Sequence, residues 1–191
     1  VGKITGQHID YAVRIDFTGF VKAVDIIGGL DINVETTFDD YEYPISGKEN
    51  ETCGKTPEEL DALATMSAEQ QVLDLPCRYK HLHFDKGLNH MDGETALEFV
   101  RSRHAKGSEG SDFARSKRQE KIINGFKDKV LSAETLVNPA KLINLYSVLK
   151  GSIDTDIKQE ELDDFIRLAQ KMSKAKIESA IIDVGDEQTK R

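Results

Sequence analysis

Between Arg101 and Gln119 the sequence reads RSRHAKGSEGSDFARSKRQ, placing six cationic side chains within nineteen residues. A guanidinium group is a planar fork of N–H donors that pairs bidentately with phosphate oxygens. A Gly/Ser segment such as GSEGS, leading into a helix, adds free backbone N–H groups and the positive end of a helix dipole. Together these residue types offer a site for phosphate or pyrophosphate. The plain alternative is a solvated, ion-paired helix end. Arg101 and Arg103 set a geometric condition, because residues two apart on a helix point ~200° apart. They can share one anion only if the preceding helix ends near Val100 or Arg101.

The elements on either side must position this cluster. With Asp112 as N-cap, FARSKRQEKIINGFKDKVL predicts a helix to about Leu131. On a 100° wheel Ile122, Ile123, Phe126 and Val130 share one stripe, and Asp112, Arg115 and Gln119 fall on the same stripe. A core-facing stripe that is charged in its first two turns breaks the local pattern, as functional sites do. Upstream, MDGETALEFVRSR predicts a helix capped by Asp92, with Ala96, Leu97 and Val100 inward. Earlier still, IDYAVRIDF alternates Ile9, Tyr11, Val13, Ile15 and Phe17 as a strand. GFVKAVDII then reads as a helix capped by Asp16 or Thr18 and ended by Gly28-Gly29, and LDINVET as a second strand. Residues 38–80 read as a polar, irregular insertion holding one or two helical turns. CRYKHLHFDKG reads as a strand, with Gly87 opening a turn. NPAKLINLYSVLKG predicts a helix with Pro139 near its start and Gly151 beyond its end. A helix over 158–174, with Leu162, Phe165, Ile166 and Ala169 inward, and a strand over 176–184 complete the expectation. This is an α/β layered fold, a mixed sheet flanked by helices, in a single domain over residues 1–191.

Composition narrows the partners. The net charge is −8, yet the Arg101–Gln119 stretch carries about +4 against Glu109 and Asp112, so the remainder carries about −12. One short cationic cluster in an acidic chain suits a small anion better than nucleic acid, which needs a broad basic surface. No run approaches the ~18 apolar residues of a membrane span. The chain opens VGKITGQHIDY without Met, in what reads as mid-domain, so further sequence is expected upstream. Cys53 and Cys77 either pair in an oxidising compartment or stay as buried thiols. His81 and His83 share a strand face, but two imidazoles alone do not make a metal site. His104 stands beside the arginines as a neighbour. No P-loop, G-x-S-x-G or H-E-x-x-H motif is present.

DGETALEFVRSRH followed by GSDFARSKRQ resembles the signature region of the LytR-CpsA-Psr family of cell-wall glycopolymer ligases. YAVRIDFTGFVKAVDIIGGLDINV, NPAKL and DTDIKQEEL are similar to other stretches of that family. The resemblance covers essentially the whole chain and is weakest around residues 40–80. It implies an extracytoplasmic, membrane-anchored phosphotransferase that moves a glycopolymer, such as teichoic acid or capsule, from a polyprenyl-pyrophosphate carrier to peptidoglycan. Carried over, Arg101, Arg103, Arg115 and Gln119 match positions that hold the pyrophosphate, and Arg118 matches the arginine beside the glutamine. Asp112 matches the acidic residue of the motif. Asp112 and Arg115 are the expected catalytic pair, with Asp112 orienting Arg115 or Arg103, a role favoured over general base on the acceptor hydroxyl. Phe17, Phe20, Val24 and Phe126 are candidates for the tunnel that holds the lipid. The family's magnesium-binding aspartates lie in an N-terminal portion with no counterpart here, so magnesium is the implied cofactor but no metal ligand is expected in this chain. If the protein works outside the membrane, Cys53 and Cys77 should be bonded. A module that binds the carrier or an anionic wall polymer without turnover is the alternative, and a nucleic-acid-binding regulator a more remote one.

Overall fold

A computed structural model describes residues 2–6, 8–132, 135, 137–158, 161, 164 and 167. By its internal packing the chain divides into two compact units. The first comprises Val1–Leu30, His90–Leu97 and Ile122–Arg191, the second Asp31–Asn89 and Glu98–Lys121.

In the first unit, a short α1 (Gly2–Thr5) precedes β1 (Val13–Ile15), which pairs antiparallel with β6 (Ile153–Thr155). The strand expected across residues 9–17 shortens to three residues. Its alternating apolar set is exposed, from 38% at Ile15 to 60% at Val13, because among the described residues β1 has only β6 beside it. Helix α2 (Phe17–Ile27) forms as its sequence requires. Asp16 is the N-cap, accepting from the Gly19 N–H at 2.6 Å, and Gly28 ends the helix at φ 89°, a left-handed conformation that a Cβ disfavours. Ala23, Val24 and Ile27 are buried on the face that packs against α7 (Pro139–Ser152), which buries Leu145. Burying each larger aliphatic stabilises by about 1.5–3 kcal/mol. The two helices approach closely at Gly19, where a Cβ would lie 2.1 Å from that of Ser152. Gly151 lies inside the last turn of α7, not beyond it. The helix expected over 158–174 lies almost wholly outside the described residues, and the strand over 176–184 entirely so.

Strand β2 (Leu30–Val34) pairs with β5 (Gly87–Met91), and in the second unit β3 (Phe38–Pro44) runs antiparallel to β4 (Tyr79–Phe84). Residues 38–80 are therefore not an irregular insertion. They open with a full strand, and Phe38, Asp40 and Tyr43 of that strand are buried. A register shift between Asp40 and Tyr43 breaks the alternation of FDDYEYP, which is why the strand was hidden in the sequence. Gly87 starts β5 instead of opening a turn. Phe38, Phe84 and Phe99 form the aromatic core, with ring centroids 5.1–6.0 Å apart. Between β3 and β4 lie α3 (Pro57–Ala64), with a Thr56/Glu59 capping box, and α4 (Ala68–Asp74), capped by Ser67. A Cys53–Cys77 disulfide ties the two ends of this excursion. Helices α5 (Gly93–Arg101) and α6 (Asp112–Val130) each contribute residues to both units. Among the described residues, no helix is long and apolar enough to cross a membrane.

Candidate functional site

Helix α5 stops at Arg101, as a shared anion requires, and buried Asp40 on β3 governs the turn that follows. One oxygen of its carboxylate accepts from Ser102 Oγ at 2.7 Å and from the backbone N–H groups of Arg103 and His104 at 3.2 Å each. The other accepts from the Glu42 N–H at 3.0 Å. Asp40 thus holds residues 102–104 out of helical continuation, and Arg101 and Arg103 are freed from the opposed directions a helix would impose. Sequence reasoning missed this residue, because it lies in the stretch taken as irregular.

The second fixture is Arg118. Its guanidinium donates to the carbonyls of Phe99 (3.0 Å), Ser102 (2.8 Å) and Glu109 (2.9 Å) and to the Glu109 carboxylate (3.1 Å). It also lies over the Phe38 ring at 4.9 Å. The side chain is 3% exposed, and burial pulls its pKa below the ordinary arginine value, opposed mainly by Glu109. Arg118 therefore satisfies the carbonyls left open where α5 ends. Its guanidinium is consumed inside the protein, which corrects its assignment to the pyrophosphate. Ala114, Arg118 and Ile122 are buried on α6, so of the expected stripe Ile122 lies inward while Arg115, Phe126 and Val130 are half-buried. Ile123 is 68% exposed and Gln119 is exposed.

Three of the expected arginines do meet. Arg101, Arg103 and Arg115 line one cleft of about 410 Å³ with Asp40, Tyr43 and His104, whereas Gln119 is not among its lining residues. Arg101 sits over the Tyr43 ring at 5.8 Å. Asp112 lies between the other two, 3.0 Å from Arg115 and 3.8 Å from Arg103. Asp112 is not the N-cap of α6. Ser111 is, because its Oγ accepts from the Ala114 N–H at 3.1 Å, leaving the Asp112 carboxylate for the arginines. An acidic side chain in the first turn also opposes an anion at that helix end, so guanidinium groups carry the positive field of the cleft. His104 is drawn toward Glu42, at 3.4 Å. The loop after the turn depends on Gly110, where a Cβ would lie 2.2 Å from the Ala105 carbonyl oxygen.

The carboxylates at this cleft do not fit magnesium. That ion needs open oxygen ligands in octahedral array, yet Asp40 is saturated by four donors and Asp112 is shared by two arginines. Elsewhere in the second unit, His81 and His83 are joined by Asp39 in a group able to hold a metal ion, a third member that sequence reasoning missed on the hidden strand. Of the side chains expected to hold lipid, Val24 is fully buried in the packing of α2, which removes it from that role. Phe17 is 58% exposed, and Phe20 and Phe126 are half-buried.

The sequence profile of the LytR_cpsA_psr family matches residues 1–190. A curated relative, the "Polyisoprenyl-teichoic acid--peptidoglycan teichoic acid transferase TagV" of Bacillus subtilis strain 168, is 28% identical over 80% of this chain and 30% of its own length. The "Cell wall biosynthesis protein LcpA" of Corynebacterium glutamicum is 26% identical over 82% of this chain and 23% of its own. The chain thus spans less than a third of either relative. Among solved structures, B. subtilis TagV superposes with a TM-score of 0.52 at 24% identity, over 88% of this chain and 48% of that one. A LytR-Csp2A-Psr enzyme from Actinomyces oris gives 0.52 at 19%, over 85% and 50%.

Proposed function

The chain belongs to the LytR-CpsA-Psr family, and on that footing we propose that it serves the transfer of a glycopolymer from a polyprenyl-pyrophosphate carrier to peptidoglycan. The observation that carries this reading is the convergence of Arg101, Arg103 and Arg115 on one cleft, with Asp112 bridging two of them. In the proposed reaction, a peptidoglycan hydroxyl oxygen attacks the phosphorus that bears the glycopolymer. The P–O bond to the polyprenyl phosphate breaks, and that phosphate leaves with the electron pair. The arginines offset the charge that gathers on the transferring and departing phosphoryl oxygens. Asp112, engaged by Arg115 and Arg103, orients them, and the acceptor proton passes to solvent. The Cys53–Cys77 disulfide supports a workplace outside the reducing cytosol, at the membrane face where a lipid-linked substrate is found.

Calorimetric titration of the purified protein with a soluble short-chain polyprenyl pyrophosphate tests the site. Arg103→Ala and Arg115→Ala should each weaken binding about tenfold or more, because a charged hydrogen bond contributes about 1.5–3 kcal/mol. The monophosphate should bind more weakly than the pyrophosphate. Equal affinity of the two variants and the parent protein would remove the arginine cleft from the reaction.

A further inference from the structure

We propose that Asp39, His81 and His83 form a binding site for a late first-row divalent cation, Zn²⁺ foremost, separate from the arginine cleft. His81 and His83 stand two apart on β4 and so project from one face of the strand. Asp39 is the direct cross-strand partner of His83 on β3. One carboxylate oxygen of Asp39 lies 2.7 Å from His81 Nε2 and 2.8 Å from His83 Nδ1. All three ligand atoms lie within 4.8 Å of one another. A tetrahedral ion about 2.0–2.1 Å from each ligand separates them by roughly 3.3 Å. Opening the present contacts by about half an ångström, a small change in side-chain torsions, therefore admits the ion in place of the two imidazole protons that now face Asp39, which pass to solvent.

The surroundings hold the ligands in that arrangement. His83 turns its other nitrogen, Nε2, to the Asp85 carboxylate at 3.3 Å. That contact is the carboxylate–histidine pairing that fixes an imidazole tautomer and leaves the facing nitrogen free to coordinate. The His81 ring lies flat on Tyr41, with centroids 4.1 Å apart and planes within 1°, and Lys106 covers Tyr41 at 5.0 Å. Two imidazoles and one carboxylate suit Zn²⁺, Ni²⁺ or Co²⁺, whereas magnesium prefers oxygen ligands alone. The ligands are between a third and half exposed, which leaves a coordination position for water. Bound there, the ion would clamp β3 to β4. On its other face β3 carries Asp40, the residue that shapes the arginine turn.

The test is titration of the purified, chelator-treated protein with zinc chloride alone, read by calorimetry and by thermal melting. The parent protein and a His8→Ala control should bind one equivalent and melt higher with zinc. Asp39→Asn, His81→Ala and His83→Ala should lose the stoichiometric binding and the shift. Asp85→Asn should bind about tenfold more weakly, the effect expected of a lost outer partner. His83→Gln keeps an amide donor toward Asp39, so a folded His83→Gln protein that no longer binds zinc separates loss of the ligand from loss of the fold. Absence of stoichiometric zinc binding by the parent protein would overturn the proposal, and so would binding unchanged in the Asp39 and His83 variants. In either case Asp39 is only an ion-pair partner of the two histidines. Neither outcome bears on the arginine cleft.

Discussion

Replacing Arg118 and replacing Arg115 should produce opposite defects, although the two arginines lie three residues apart in one motif. Arg118→Met keeps the aliphatic bulk beside Phe38 and Phe99 and deletes four hydrogen bonds. Three backbone carbonyls lose their charged donor, and the buried carboxylate of Asp40 loses the positive charge that offsets it. Breaking one member of a buried, paired network costs about 3–5 kcal/mol. For a chain of this size each kcal/mol moves the melting midpoint by about 2–4 °C. A cost near 4 kcal/mol therefore lowers it by roughly 8–16 °C. Arg115 is 27% exposed and bonded to an exposed acid one turn away, an interaction of about 0.3–0.5 kcal/mol. Arg115→Ala should melt within about 2 °C of the parent protein and bind pyrophosphate about tenfold or more weakly. Circular-dichroism melts and the carrier titration, run on both variants, decide the matter. An Arg118→Met protein that melts like the parent but has lost the ligand would refute the structural role of Arg118.

Reducing the Cys53–Cys77 bond, or replacing both residues by serine, should cost about 3.5 kcal/mol in the chain-entropy model for a separation of 24 residues; denaturant midpoints with and without reductant measure it. Asp40→Asn replaces an acceptor of four bonds by a group with its own N–H donors, and should cost about 1–3 kcal/mol while weakening pyrophosphate binding through the misplaced Arg103. The Asp92 carboxylate, hydrogen-bonded to Thr95 at the start of α5, has its pKa lowered chiefly by that contact. Because the folded value is depressed, its contribution of about 1 kcal/mol is fully present above the ordinary value of 3.8 and disappears as pH falls through the folded one. The stability gap between the parent protein and Asp92→Ala should accordingly close in acid and persist at neutral pH.

How much of this was legible depended on whether a pattern stayed in phase. Helix α2 was readable because Asp16, the apolar stripe and Gly28 agree on one element. The end of α5 at Arg101 followed from the need for two arginines to converge. β3 was unreadable because a register shift puts Tyr43 inward after Asp40, so no alternation spans the strand. Two consequential side chains, Asp39 and Asp40, were lost with it. The stripe of α6 was drawn too broadly, because Ile122 and Ile123 are equally apolar and only the structure shows which is buried. Burial of Arg118 is tolerated only because the carbonyls of Phe99, Ser102 and Glu109 converge on it, a coincidence of three segments that spacing along the chain does not encode.

The charge pattern that marks this sequence resolves into two circuits. The inner one joins Arg118 to Glu109 and lies near Asp40, and its hydrogen bonds set the path of the chain from Phe99 to Glu109. The outer one gathers Arg101, Arg103 and Arg115 at the cleft that Asp40 also lines, with Asp112 between Arg103 and Arg115. Three guanidinium groups in a half-open cleft make a local positive field, and a pyrophosphate supplies the negative charge that such a field favours. The acidity of the rest of the chain does not weaken this match, because charges more than about 8–10 Å away through water are largely screened at physiological salt. The inner circuit therefore cannot be traded for the outer one. Adding cations near Arg118 would not enlarge the anion site, whereas removing Asp112 would raise the positive field and loosen the geometry together. Asp112→Asn should then retain affinity for simple phosphate yet lose its preference for pyrophosphate, because attraction survives the loss of Asp112 and the fixed spacing of Arg103 and Arg115 does not. Competition between the two anions for the cleft measures that ratio, and an unchanged preference would show that Asp112 does not position the arginines.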